Sequence, residues 1–134
     1  MAKFTRKFVS IRAEGLCEYC RLPGAESVLP HEIDHIRARK HRGPTTLQNT
    51  AWACARCNGA KGSDASWYDP ETDELVRLFN PRTDKWKAHF FWDGPVLRGK
   101  TPIGRATVVL LRINDPARIE HRHLLMNAGL YPTT

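Results

Sequence analysis

Apolar residues recur among polar ones along residues 28–36 (VLPHEIDHI), a short run that predicts a β-strand. Strand side chains alternate between faces, so Asp34 points away from the face shared by Ile33 and His35. NTAWA at 49–53 predicts a short second strand, and a short helix follows from near Asn58 to near Gly62. Between the strands, 37–48 is a polar, exposed loop. Upstream, 3–16 is a basic arm that turns helical towards Gly15, and LPGAES at 22–27 is a turn marked by Pro23–Gly24. Downstream, 64–74 is polar and acidic, with a turn at Asp69–Pro70. Residues 75–92 predict two strands joined at Asn80–Pro81, and 97–100 a loop. Thr101 caps a helix with Pro102 at its first position, and Ile103, Ala106, Leu110 and Ile113 form its apolar stripe. Asn114–Asp115–Pro116 ends that helix and begins another, which runs to about Asn127 with Gly129 beyond. The mixture predicts an α+β fold. With 134 residues and no repeat or long linker, the chain is expected to form a single domain over 1–134.

Charge sharpens this picture. The formal net charge is +7, a balance that favours a polyanionic partner. Residues 1–61 hold eleven Lys or Arg against five acids, whereas 62–93 hold four against seven, so the cations gather around the predicted hairpin. The basic N-terminal residues have no apolar run behind them, and no stretch reaches the ~20 apolar residues of a membrane span. The expectation is a cytoplasmic protein with no membrane partner.

In a reducing compartment the four cysteines point to metal. They form two Cys-x-x-Cys pairs, Cys17/Cys20 and Cys54/Cys57, separated by thirty-three residues. Four thiolates suit tetrahedral Zn2+ and leave no open position, so this zinc is expected to be structural. The long gap fits an insertion, and what is inserted is the Asp34–His35 strand with its loop.

Phosphodiester hydrolysis needs a base for water, a cation for the phosphate and a grip on the substrate. His35 suits the base, because a near-neutral imidazole accepts a proton at working pH. Asp34 and Asn58 offer oxygens to a hard ion such as Mg2+. Lys61 lies one helical turn after Asn58, on the same face and within reach of phosphate. Arg37, Arg39, Lys40, Arg42 and Arg56 suit phosphate contacts that read no sequence.

These residues carry a resemblance. Asp34-His35-Ile36, then Asn49, then Cys54-x-x-Cys57-Asn58-x-x-Lys61-Gly62 resembles the HNH endonuclease family in its cysteine-bearing form. The resemblance implies a ββα-metal core over 17–63, with 64–134 as a C-terminal hairpin and helical extension. It implies His35 as general base, Asp34 and Asn58 as ligands of one Mg2+ or Mn2+, and DNA as substrate, cut to 5′-phosphate and 3′-hydroxyl ends. Asn49 would orient the loop through backbone hydrogen bonds. LFNPRTDKW-x-x-HFFW and TPIGRATVVLLRIN are similar to the tail of small stand-alone bacterial members. Two departures bear on loop shape: His31-Glu32 stands where apolar or aromatic residues are usual, and Arg42 where a glycine often precedes Gly43.

Bland readings stand beside these. Asn58 could serve only as a helix cap, and Asn49 as an ordinary turn residue. His31 and His41 read as solvated loop histidines, with an extra metal ligand or a phosphate contact in the active site as the alternative for each. His89 reads as a packed histidine, again with an active-site contact as the alternative. The rival to the enzyme is a non-catalytic zinc ribbon that binds nucleic acid, which leaves Asp34, His35 and Asn58 without a purpose.

Overall fold

A computed structural model describes residues 6–132, so the start of the expected basic arm, at 3–5, lies outside the described residues. The arm becomes helix α1 (Arg6–Arg12) and ends where Glu14 and Gly15 adopt positive φ. Strand β1 (Glu32–His35) pairs antiparallel with β2 (Thr50–Ala53), setting Ile33 opposite Trp52 and Asp34 opposite Ala51. The predicted first strand is shortened at its N-terminal side. Val28, Leu29 and Pro30 are exposed, and Pro30 has no N–H to give a ladder.

Helix α2 (Ala55–Lys61) follows β2 directly and completes a ββα unit. It begins at Ala55 and not near Asn58, because Cys54 takes the N-cap position and its sulfur accepts from the Cys57 N–H. Both faces of β2 are covered. Val9 and Ala13 pack on the Ile33–Trp52 face. The other face joins the main core, where Tyr19, Ala51 and Ala53 meet Leu78, Phe79, Phe90, Leu97, Leu111 and Ile113. Residues from before and after position 64 therefore share one hydrophobic cluster.

The C-terminal half differs in pairing from the sequence expectation. Residues 66–68, expected to be irregular, form β3 (Ser66–Tyr68) and pair with β4 (Leu75–Arg77). The Asn80–Pro81 turn does not join two partner strands; it leads into the short helix α3 (Trp86–His89). Strand β5 (Phe90–Asp93) then pairs with β6 (Val96–Gly99), so the expected loop at 97–100 is mostly strand. The apolar runs in 75–92 marked strands but not their partners, since pairing depends on the turn at Asp93–Gly94, where Gly94 has φ +57. The extension thus holds two hairpins and not one.

Helix α4 (Pro102–Leu110) starts as expected, with Thr101 Oγ1 accepting from Gly104 N at 3.0 Å. It stops before Ile113, which is nonetheless buried in the core. Its close seat on β6 depends on two glycines. A Cβ on Gly104 would lie 2.1 Å from the His89 carbonyl oxygen, and one on Gly99 2.3 Å from the Arg105 nitrogen. Helix α5 (Pro116–Asn127) closes the chain, with Gly129 just beyond at φ +74. Among the described residues no helix is long and apolar enough to cross a membrane.

Candidate metal centre and active site

The cysteines are brought together by the two knuckles. Cys17, Cys20, Cys54 and Cys57 are buried, and their sulfurs all lie within 4.8 Å of one another. The Cys20–Cys54 sulfur separation is 3.8 Å, far beyond a disulfide bond. It equals the edge of a tetrahedron with metal–sulfur bonds of about 2.3 Å. The donor set and spacing therefore fit zinc. Burial pushes the Cys17 thiol well above its ordinary value, so holding thiolates here requires nearby positive charge.

Part of that charge comes from a residue the sequence reading missed. Arg118 on α5 is buried and donates to Cys57 Sγ at 3.0 Å, with Cys54 Sγ at 3.8 Å. Burial opposes its charge, but Cys57, Cys20 and Cys54 outweigh it and the guanidinium is held more firmly protonated than usual. Its other nitrogen donates to the Leu111 carbonyl at 2.7 Å. Arg118, Arg122 and Leu125 are the buried residues of α5. Their i, i+4, i+7 spacing puts them on one face, a signal obscured because two of the three are arginine. Tyr131 adds a hydrogen bond to the Cys20 carbonyl, so the chain's last described turn also closes on this centre.

The hairpin carries the second constellation. Alternation separates Asp34 from His35 as the sequence implied. Asp34 is 2% exposed, while His35 is half-buried with Nε2 2.9 Å from Thr45 Oγ1. Burial, then Arg39, lowers the His35 pKa below the ordinary histidine value, which keeps the ring neutral at pH 7. Asp34 is enclosed: Tyr19 donates to Oδ2 at 2.6 Å and Lys61 to Oδ1 at 3.2 Å. Burial raises the Asp34 pKa, and Lys61 and Tyr19 work against that rise.

Lys61 departs from its expected position. It was expected to reach phosphate, but it is 2% exposed and its ammonium is spent on Asp34 Oδ1 and the His35 and Ile36 carbonyls. A buried ammonium needs such partners, and here they tie the last turn of α2 to the end of β1. Asn58, one turn earlier, donates from Nδ2 to Glu32 Oε1 at 2.7 Å.

The loop from 37 to 49 is shaped by Asn49. Its Nδ2 donates to the Arg37 and Pro44 carbonyls at 3.0 and 2.8 Å, and its Oδ1 accepts from Arg37 N at 2.9 Å. Gly43 is required there, since a Cβ would fall 1.7 Å from the Arg37 carbonyl oxygen. Arg42 occupies the left-handed region at φ +65, which gives a physical reason for the glycine usual at that place. Arg37, Arg39, Lys40, His41, Arg42 and Arg56 are all exposed.

The remaining histidines lie elsewhere. His31, expected to be solvated, is buried, with Nε2 2.8 Å from the Leu22 carbonyl. The register that points Ile33 at α1 leaves it under Trp52. His89 is held by Thr101 at 2.6 Å and packs edge-on against Phe79 and Phe90.

Comparisons with known proteins agree with this arrangement. Residues 17–64 match the HNH endonuclease family model. The Septu protein PtuB of Bacillus thuringiensis is 28% identical over 120 residues, covering 87% of this chain and 44% of that protein. The chain thus spans less than half the length of that relative. No solved structure matches it significantly. Residues 17–64, the segment that folds as the two knuckles, the hairpin and α2, are a domain of the HNH endonuclease family.

Proposed function

We propose that the protein is a metal-dependent endonuclease that hydrolyses DNA phosphodiesters, with His35 as general base. The observation that supports this most strongly is the hairpin. It carries a neutral imidazole held by Thr45, beside a basic loop pinned by Asn49. His35 takes the proton from the attacking water. The water oxygen bonds to phosphorus as the P–O3′ bond breaks, and the departing O3′ takes a proton from solvent, leaving a 5′-phosphate and a 3′-hydroxyl. Asp34 and Asn58 are hard oxygen donors that fit one Mg2+ or Mn2+, which when bound neutralises charge on the phosphate and the departing oxygen. Asn49 holds the loop, and Lys61 acts through Asp34 and the β1 carbonyls instead of touching phosphate.

The direct test is incubation of supercoiled plasmid with zinc-loaded protein, with Mg2+ or with chelator. Nicked and linear products dependent on Mg2+ are expected. Plasmid retarded but uncut under both conditions would instead favour the non-catalytic zinc-ribbon reading.

A second expectation concerns the exposed loop cations. If three or four of Arg37, Arg39, Lys40 and Arg42 meet backbone phosphates, log affinity falls with log salt at a slope of roughly −3 from this loop. Replacing Arg39 and Lys40 by alanine is expected to flatten that slope by about two units, equally on unrelated duplexes. Salt titrations with Ca2+ in place of Mg2+ measure it. An unchanged slope would move the phosphate grip to another surface.

A further inference from the structure

The geometry points to Glu32 as a carboxylate ligand of the catalytic cation, alongside Asn58. This inference rests on the endonuclease reading and assigns the cation site one more residue. Glu32 stands two positions before Asp34 on β1, so the pleat puts both carboxylates on one face of the hairpin. The two differ in what is left for a metal. Each Asp34 oxygen already accepts one hydrogen bond, from Tyr19 or from Lys61, which leaves it one further acceptor site to offer the cation, and the residue is almost fully enclosed. Glu32 is only half-buried. One of its oxygens touches the Asn58 amide, and among the described residues no donor reaches the other.

The distance is also suitable. The Glu32 and Asn58 side-chain ends are 2.7 Å apart. Adjacent oxygens on an octahedral cation with bonds of about 2.1 Å lie about 3 Å apart. In the metal-free arrangement the Asn58 amide turns its N–H to the carboxylate. A half-turn about Cβ–Cγ exchanges Nδ2 for Oδ1 and gives two oxygens in nearly the same place. Lys61 supplies charge balance for Asp34, which leaves the negative charge of Glu32 without a cationic partner among the described residues. A divalent ion compensates it.

A purely structural role for Glu32 would be to orient Asn58 by the hydrogen bond. The variant Glu32→Gln separates the two, since a glutamine carbonyl still accepts from Asn58 but carries no charge. Mn2+ binding to the full, zinc-loaded chain is followed by the electron paramagnetic resonance of free Mn2+, with plasmid cleavage measured in parallel. Glu32→Gln is expected to weaken Mn2+ binding by about tenfold or more, the scale at which even residues supporting a metal's ligands act. Cleavage should fall at low Mn2+ and recover as Mn2+ rises. Glu32→Asp, which keeps the charge on a shorter stem, should bind more tightly than Glu32→Gln. Zinc content and melting temperature should match wild type in both. A Glu32→Gln protein that binds Mn2+ like a wild type that itself binds and cuts would overturn this inference alone. A wild type that neither takes up Mn2+ nor cuts would overturn the endonuclease reading along with it.

Discussion

His35→Ala is expected to abolish detectable plasmid cleavage. A positioned general base contributes typically about 10²–10⁴-fold, and alanine offers nothing to take its proton. The loss should be confined to chemistry. His35 belongs to neither hydrophobic cluster, and its ring makes one hydrogen bond, to Thr45, among the described residues. The backbone around it is fixed independently, by pairing with Thr50 and by Lys61 on its carbonyl. Melting temperature, zinc content and duplex affinity in Ca2+ should therefore stay near wild type. Single-turnover cleavage at saturating DNA is the deciding measurement. A variant that still cuts at close to the wild-type rate would remove His35 from the base role.

Cys54→Ser is expected to do the opposite, removing the fold and with it every activity. Structural zinc in small zinc-binding peptides contributes about 10–16 kcal/mol, comparable with the entire ~5–15 kcal/mol stability of a domain. Cys54 is an especially costly position. It is one of the four clustered ligands, caps α2, and lies beside the buried Arg118. Without zinc, the remaining thiols must reprotonate in a buried site, and Arg118 loses the negative partners that keep its charge there. Metal analysis should find about one zinc per wild-type chain and none in the variant, with the cooperative thermal transition lost. Wild-type protein purified without chelator that holds no zinc, yet melts cooperatively, would refute the four-cysteine centre.

The two constellations were legible to different degrees. Cysteine spacing alone announced the metal centre, because two thiolates three positions apart on a turn have few other uses. The strand–loop–strand–helix order around Asp34 and His35 was also visible, since alternation and turn residues are local properties. The partners of buried charges were not. Lys61 reads as an exposed cation one turn after Asn58, and nothing in its neighbours shows that β1 carbonyls will enclose it. Arg118 sits in PARIEHRHLLMN, whose helix is legible while the burial of its arginines is not. The C-terminal hairpins were misassigned for a related reason. Residues 66–68 and 75–77 have strand character only when paired, and neither segment states its partner.

The sequence by itself determined the hairpin-and-helix order, the cysteine tetrad, the loop cations and the helix start at Thr101–Pro102. Each of these follows from chemistry within a few residues or from one residue type repeated at a fixed spacing. Only the tertiary structure decided that Asp34 is shut between Tyr19 and Lys61, that Glu32 meets Asn58, and that α5 delivers Arg118 to the sulfurs. Those contacts join residues from 15 to 64 positions apart. Burying a charge or an amide costs free energy unless a partner waits in place, and which partner waits is set by how the layers pack.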